Sequence, residues 1–189
     1  YYLQVILVSI IVVNFKLLLN LNNICIKNYW FCYFVFFSIN AYAEDVTAKD
    51  FADRIKKCTD SIYSNTQEFP PHKQIPLELI IAQGAHESAW GNSRFAKEGN
   101  NLFGVRTYNS EVPQIKAKGA PDAKWGLRKY DSWCHSVRDY LDILNNHPRY
   151  EEFREELKFQ TEVGTITPVQ LILHLGPWSE QGDLYICLL

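Results

Sequence analysis

The most informative stretch of the chain is AQGAHESAWGNSRFAKEGNNLFG, residues 82–104. It continues an apolar pattern at helical spacing that opens at Pro76, a residue favoured in the first turn because its missing N–H has no partner there anyway. The pattern predicts a helix from Pro76 to Gly91, then a single turn at 93–97 and a loop at 99–101. The predicted buried stripe of the helix consists of Leu77, Ile80, Ile81 and Gly84.

Glu87 is the candidate catalytic group of this stretch. It follows Ile80 by about two turns, so it borders the apolar stripe near the end of the predicted helix. Burial against Trp90 or Phe103 and the negative end of the helix dipole would both raise its pKa. A carboxyl group that keeps its proton at neutral pH can protonate a leaving sugar oxygen. From spacing alone, an ordinary solvated helix residue explains Glu87 equally well.

A metal site is not expected. His86 is adjacent to Glu87, and neighbouring helical residues diverge by about 100°, so the two cannot hold one ion together. Position 90 is Trp, so the His-Glu-x-x-His zinc motif is absent. The other histidines lack ligand spacing, and we expect neither metal nor cofactor.

The remaining chain is predicted to be one α-rich domain with a small β excursion. Apolar spacing in Phe51, Ile55, Cys58 and Ile62 predicts a helix from Thr47 to about Thr66. Short strands separated by Asn, Gly and Pro turns are expected at 103–107, 114–118 and 125–130. Further helices are expected at 133–144, 150–157 and 167–175, and after Ser179. The first of these is defined by Trp133, Val137, Tyr140, Leu141 and Leu144 at helical spacing.

The first 43 residues differ from the rest because they contain apolar runs and no acidic residue. Lys27 precedes an apolar stretch at 29–37, which is followed by the small-residue end Ser38-Ile-Asn-Ala-Tyr-Ala43. This is the pattern of a secretory signal peptide, so residues 44–189 are expected to form the exported domain, in the periplasm, cell envelope or medium. The alternative is an uncleaved membrane anchor. The apolar pattern at 185–189 breaks off abruptly, which predicts a truncated C-terminus.

The net charge of residues 44–189 argues against nucleic-acid binding, and their cysteine content limits the number of disulfides. Without Lys16 and Lys27, residues 44–189 carry 17 basic residues (19 − 2) against 21 acidic ones, a net charge near −4 (17 − 21). Such a domain has no general attraction to nucleic acid. Its three cysteines allow at most one disulfide among themselves, and burial as small apolar side chains is the favoured role.

Several motifs together resemble the glucosaminidase family (glycoside hydrolase family 73), in particular its Bax-like branch. The similarity extends in order from about Pro76 to the C-terminus. The matching segments are ESAWG at 87–91, SRF at 93–95, EGNNLFG at 98–104, GLRKY at 126–130, Ser136-Val137, Tyr140, NHPRY at 146–150, Phe153-Arg154, Ser179-Glu180 and Tyr185.

The resemblance implies a lysozyme-like helical domain with a small β-lobe flanking the cleft, and Glu87 as catalytic general acid. The implied substrate is peptidoglycan, cut at the β-1,4 bond after N-acetylglucosamine in an endo manner. Asn100, Asn101 and Phe103 fall in the motif that shapes the cleft floor, where an alternative role is to fix the turn from helix to strand. Tyr130 belongs to a second matching segment and is a further candidate for substrate binding.

Two positions depart from the family pattern. A second carboxylate often assists in this family, and the candidates here are Glu111 and Asp122, neither in a recognisable copy of the motif. Trp178 occupies a position where the family often has Tyr, so it lacks a hydroxyl. Trp90 and Trp178 could stack on sugar rings, although core packing is the commoner role of tryptophan.

The sequence therefore predicts an active peptidoglycan hydrolase whose partner is the glycan strand, acting as a monomer and touching membrane only through an uncleaved N-terminal segment. A cell-wall-binding domain that has lost catalysis is the second hypothesis. A peptidoglycan amidase is the third, and the missing metal motif argues against it.

Overall fold

Helices form where the apolar residues recur at helical spacing. The computed structural model describes residues 46–180, 182–187 and 189. Helix α1 spans Ala48–Tyr63, and the Thr47 hydroxyl caps it by accepting a hydrogen bond from the Asp50 N–H. Its buried face contains Phe51, Ile55, Cys58 and Ile62, as predicted.

The helix that contains Glu87 is shorter than predicted. Helix α2 spans Leu77–Ser88 instead of running to Gly91. It ends because Ala89, Trp90 and Gly91 all adopt positive φ angles, and the Ser88 hydroxyl accepts a hydrogen bond from the Gly91 N–H at 2.7 Å. A Cβ at Gly91 would lie 2.5 Å from the Trp133 ring, so glycine is required there.

The next segment forms a small β-lobe. Helix α3 spans Arg94–Gly99 and is capped by Ser93. The strands are shorter than predicted: β1 is Arg106–Thr107, β2 is Gln114–Ile115 and β3 is Gly126–Arg128. They form an antiparallel sheet in the order β1-β3-β2, with Leu127 opposite both Arg106 and Ile115.

Helices resume after the β-lobe. Helix α4 spans Trp133–Asn146 and is capped by Ser132. Helix α5 spans Glu151–Val163, so its end lies six residues beyond the predicted one, and the next residue, Gly164, adopts the left-handed conformation. The shorter elements are α6 at Pro168–Ile172, α7 at Asp183–Ile186, and 3-10 turns at Pro71–Lys73, Pro148–Tyr150 and Gly176–Trp178.

The hydrophobic core lies between α1, α2 and α4. Phe51, Ile80, Tyr140 and Leu141 are completely buried in it. The prediction of a mainly α fold, lysozyme-like with a small β-lobe, is confirmed.

The favoured role of the cysteines was wrong for two of them. Cys58 on α1 and Cys134 on α4 form a disulfide, with their Cα atoms 4.9 Å apart. Each lies on the face of its helix that packs against the other helix, which brings the two sulfur atoms together.

The predicted signal peptide at 1–43 lies outside the described residues. Within the described part, no helix has the length and apolar character needed to cross a membrane.

Candidate active site

Glu87 lies on the last turn of α2, directly before the chain leaves the helix. Gly84, one turn earlier, lets the Phe103 ring approach, since a Cβ there would lie 3.2 Å from that ring. Gly104 adopts a φ of +68°, and a Cβ on it would lie 3.3 Å from Glu87 Oε2. The carboxyl group is therefore held against the backbone that follows Phe103.

A cleft of about 750 Å³ opens in front of this carboxyl group. Three segments that are distant in sequence form its walls: the start of the β-lobe, the end of α4 with the following turn, and the segment 177–180. The lining residues are Glu87, Phe103, Gly104, Val105, Arg106, Tyr108, Ile143, His147, Arg149, Tyr150, Pro177, Trp178, Ser179 and Glu180.

The environment of Glu87 favours its protonated form. Burial raises the pKa of the Glu87 carboxyl above its ordinary value, and the nearby Tyr185 hydroxyl lowers that pKa by a smaller amount. Among the described residues, Glu87 forms no ion pair. The side chain is partly buried and still borders the cleft, so a carboxyl group with a raised pKa is accessible to a molecule bound there.

A group of buried polar side chains lies behind Glu87. Tyr140 is completely buried, stacks on Phe103 with ring centroids 4.1 Å apart, and donates a 2.7 Å hydrogen bond to Gln83 Oε1. Tyr185 is 2% exposed and lies beside Gln83 and Glu87. Gln83 had no predicted role, and Tyr140 was predicted only as a position of its helix that matches the family, because the proximity of both residues to Glu87 depends on packing between helices.

Trp178 forms part of the C-terminal wall. Its indole N–H donates a 3.2 Å hydrogen bond to the Phe103 carbonyl, and its ring packs against Tyr140 and Tyr150. It is only partly buried, so one part packs while another part borders the cleft. The structure thus brings together three of the predicted site residues, Glu87, Phe103 and Trp178.

Two of the other predicted residues stabilise the approach to the β-lobe. The Asn101 amide donates to the carbonyls of Val105 and Arg128, and its oxygen accepts from the Val105 N–H. Asn100 adopts the left-handed conformation at the end of α3 and donates to the Tyr130 carbonyl. Neither lines the cleft, and both geometries match the alternative role of fixing the turn.

Tyr130 and Trp90 also lie outside the cleft lining. The Tyr130 hydroxyl donates to Asp139, a carboxylate that Arg128 also binds, so it joins the β-lobe to α4. Trp90 is 43% exposed and packs edge-to-face with Phe51, their ring centroids 6.0 Å apart.

The proposed second carboxylates are distant from the cleft lining as well. Glu111 and Asp122 are exposed residues of the loops that connect the strands. Glu180 does line the cleft, where it forms a 2.8 Å ion pair with Arg106. Its position in the Ser179-Glu180 motif is the sequence signal that points to this role.

The charged groups of the cleft come from several elements. Arg106 also stacks over the Trp125 ring at 4.4 Å, and Arg149 donates to the Pro177 carbonyl. His147 lies beside Arg149 and accepts a hydrogen bond from its backbone N–H. No group of three or more His, Cys, Asp or Glu side chains in the described part is arranged to hold a metal ion.

Comparison with known proteins adds an independent observation. Residues 63–170 match the family model described as Glucosaminidase, Mannosyl-glycoprotein endo-beta-N-acetylglucosaminidase. The matched range includes Glu87, the β-lobe and α4. No solved structure matches the chain significantly.

Curated proteins from bacteria are similar over parts of their length. Protein bax of Escherichia coli K12 is 29% identical over 150 residues, which cover 76% of this chain and 52% of that protein. Peptidoglycan hydrolase FlgJ of the same strain is 31% identical over 96 residues, 40% of this chain and 28% of FlgJ. Exo-glucosaminidase LytG of Bacillus subtilis is 29% identical over 91 residues, 45% of this chain and 32% of LytG. The chain thus spans at most about half the length of these relatives.

Proposed function

The chain belongs to the glucosaminidase family of glycoside hydrolases, and from this premise we propose that it cleaves peptidoglycan glycan strands at the β-1,4 bond after N-acetylglucosamine. The observation that carries the proposal is the position of Glu87, a carboxyl group whose pKa is raised by burial although it borders an open cleft. An acid in this state can protonate the oxygen of the leaving sugar.

The reaction requires one proton donor and one nucleophile. Glu87 donates its proton to the glycosidic oxygen as the bond between that oxygen and the anomeric carbon breaks. The acetamido oxygen of the substrate or a water molecule then forms the new bond to the anomeric carbon. Where the acetamido oxygen attacks first, a water molecule then breaks its bond to the anomeric carbon and takes its place. In both routes the water oxygen becomes the hydroxyl group of the new reducing end and a proton of that water returns to Glu87, so the enzyme is regenerated.

Peptidoglycan as substrate is supported by the relatives. One is named a peptidoglycan hydrolase and another an exo-glucosaminidase. The cleft is open and is bordered by the aromatic residues Tyr108 and Trp178, which offer flat surfaces to sugar rings.

Export from the cytoplasm is part of the proposal, because peptidoglycan lies outside it. The Cys58–Cys134 disulfide supports this location, since disulfides persist in oxidising compartments and are rare in the cytosol. We propose that residues 1–43 direct export, that the domain acts as a monomer, and that any contact with the membrane runs through an uncleaved N-terminal segment.

A zymogram tests the catalytic assignment. Wild-type protein should clear a gel that contains purified peptidoglycan, and Glu87→Gln should not, because the amide cannot donate the required proton. The matched control is Glu78→Gln, an exposed carboxyl group on the first turn of the same helix, which should clear normally. Unchanged clearing by Glu87→Gln would contradict the mechanism.

The products identify the bond that is cut. Mass spectrometry of the digest should show new reducing N-acetylglucosamine ends. Release of free peptides would instead indicate an amidase.

One observation favours a second candidate, a cell-wall-binding domain with weak or no catalysis. Trp178 replaces the tyrosine that is frequent in the family, and its only polar atom, the indole nitrogen, is bonded to the Phe103 carbonyl. This position therefore supplies no hydroxyl group to hold water in the cleft. Wild-type protein that binds peptidoglycan in a pull-down but clears no gel, while Trp178→Tyr does clear it, would establish this candidate.

A further inference from the structure

Two buried polar atoms behind Glu87 lack hydrogen-bond partners. Gln83 is completely buried, yet within the described residues its Nε2 has no acceptor. The Tyr185 hydroxyl, on a side chain that is 2% exposed, is likewise without a partner there. Buried polar groups are nearly always hydrogen-bonded, so a pair of unpartnered groups beside a candidate catalytic acid requires an explanation.

These atoms belong to a row of side chains that ends at the carboxyl group. Tyr140 donates to Gln83 Oε1 at 2.7 Å, which leaves the two N–H groups of the Gln83 amide as donors. Tyr185 lies beside that amide on one side and beside Glu87 on the other. Each member can thus donate toward the next one, from Tyr140 through Gln83 and Tyr185 to Glu87.

We propose that Tyr185 is a positioning residue whose hydroxyl donates a hydrogen bond to the Glu87 carboxylate formed when the proton passes to the sugar, while the Gln83 amide holds the Tyr185 oxygen. The inference rests on the proposed role of Glu87 as the acid. An ionised carboxylate is a stronger acceptor than a neutral carboxyl group. The link between Tyr185 and Glu87 therefore strengthens when the proton passes to the sugar.

The effect on acidity has a definite sign. A hydrogen bond to the ionised form stabilises it, so Tyr185 lowers the pKa of Glu87 in opposition to burial. A general acid must be protonated to act, so activity is lost as the pH rises through this pKa. Removal of the Tyr185 hydroxyl should raise the pKa of Glu87 and move the basic limb of the activity profile to higher pH.

Other polar and charged groups surround Glu87. Tyr140 approaches from α4 and Tyr185 from α7, and the His86 ring packs edge-on against Tyr185 with centroids 5.7 Å apart. The cleft walls contribute Arg106, Glu180, His147 and Arg149. Replacement of Tyr185 by Phe leaves all of these in place and keeps the ring that contacts His86.

The test compares Tyr185→Phe with the wild-type full chain. The decline of kcat on the basic side of its pH profile should move to higher pH by about one unit, the size expected for one hydrogen bond to a charged group. At neutral pH kcat should fall about tenfold with little change in KM, because the lost bond is strongest with the ionised carboxylate that proton transfer produces.

The matched control is Tyr63→Phe. Tyr63 is a partly buried tyrosine of α1 whose hydroxyl donates to the Ile75 carbonyl and not toward Glu87. The Tyr63→Phe variant should lose some stability and keep the wild-type profile of kcat against pH. If Tyr185→Phe kept that profile too, the inference would be overturned.

A measurement independent of turnover separates this inference from the proposed function. The carboxyl carbon of Glu87 can be titrated by NMR with labelled glutamate, its signal being assigned by its absence from Glu87→Gln. A higher pKa in Tyr185→Phe supports the inference even if the protein cleaves no glycan, and an unchanged pKa overturns it even if the protein is active.

A second variant keeps the test decisive if Tyr185→Phe does not fold, as judged by circular dichroism. Gln83→Met retains the length of the side chain and removes the amide that holds the Tyr185 oxygen. It should move the pKa of Glu87 in the same direction by a smaller amount, and no movement would count against the proposal.

Discussion

The indole N–H of Trp178 donates a 3.2 Å hydrogen bond to the backbone carbonyl of Phe103, a residue 75 positions earlier in the chain. Phe103 directly precedes the glycine that lies against the Glu87 carboxyl group. The bond thus connects the C-terminal wall of the cleft to the backbone beneath the candidate acid.

Replacement of Trp178 by Phe should therefore destabilise the fold. It removes the donor to the Phe103 carbonyl and part of the packing against Tyr140 and Tyr150, and we expect a loss of about 1–3 kcal/mol in unfolding free energy. Urea denaturation followed by tryptophan fluorescence measures it. Tyr108→Phe, a change at an exposed aromatic of the same cleft, should stay within about 0.5 kcal/mol of wild type. Equal midpoints for Trp178→Phe and wild type would show that the bond contributes little.

Helix positions could be predicted because their signal is local. The apolar spacing in α1 and α4 recurs every three or four residues, and the predicted residues Phe51, Val137 and Leu144 are buried in the core. The end of α2 could not be predicted in the same way. Ala89 and Trp90 adopt positive φ angles, which non-glycine residues rarely do, and nothing in their identity indicates this.

The candidate site could be predicted only in part, for a related reason. Glu87 lies in a dense local motif, and its proximity to the apolar stripe follows from helical spacing. The Arg106–Glu180 ion pair joins residues 74 positions apart, and the contact of Tyr185 with Glu87 joins α7 to α2. Such contacts depend on how the helices pack, which periodicity does not specify.

The raised pKa of Glu87 predicts a pH-dependent stability difference. Because the folded protein binds this proton more tightly than the unfolded chain, the associated stability is complete below the unfolded value near 4.5 and is lost as the pH rises through the folded pKa. The side chain introduced by Glu87→Gln cannot ionise. The unfolding free energy of this variant relative to wild type should therefore increase between the unfolded and the folded pKa of Glu87, by at most about 1.4 kcal/mol per pH unit.

Thermal or urea denaturation between pH 4 and pH 8 checks this prediction. Burial raises the pKa of Asp142 in the same direction, but this residue is present in both proteins and cancels in the difference. Glu78→Gln, at an exposed position of the same helix, should run parallel to wild type. A difference between Glu87→Gln and wild type that does not vary with pH would contradict the assigned environment.

The Cys58–Cys134 disulfide should contribute strongly to stability. It closes a loop of 76 residues between α1 and α4, and restriction of the unfolded chain by such a loop contributes about 4 kcal/mol in the entropic description. Cys58→Ala with Cys134→Ala should lose about this amount in urea denaturation. Added reductant should lower the denaturation midpoint of wild type toward that of the double variant, which no longer contains this disulfide. Equal midpoints in the absence of reductant would show that the loop constraint is not what stabilises the packing of α1 on α4.

The position of Glu180 predicts which carboxylate, apart from Glu87, affects catalysis. Glu111 and Asp122 are exposed in the β-lobe loops and do not line the cleft, so Glu111→Gln and Asp122→Asn should keep wild-type kcat and KM. Glu180 lines the cleft and holds Arg106 at 2.8 Å, so Glu180→Gln changes the charge beside the substrate and should reduce kcat/KM about tenfold or more.

Stability measurements distinguish catalysis from folding in this series. The Arg106–Glu180 pair is exposed at 43% and 85%, so its loss should change the unfolding free energy by less than about 1 kcal/mol. Reduced turnover of soluble glycan fragments with an unchanged denaturation midpoint is therefore the expected result for Glu180→Gln. If Glu111→Gln or Asp122→Asn lost activity while Glu180→Gln kept it, the second carboxylate would come from the β-lobe loops, and those loops would have to close over the cleft when the substrate binds.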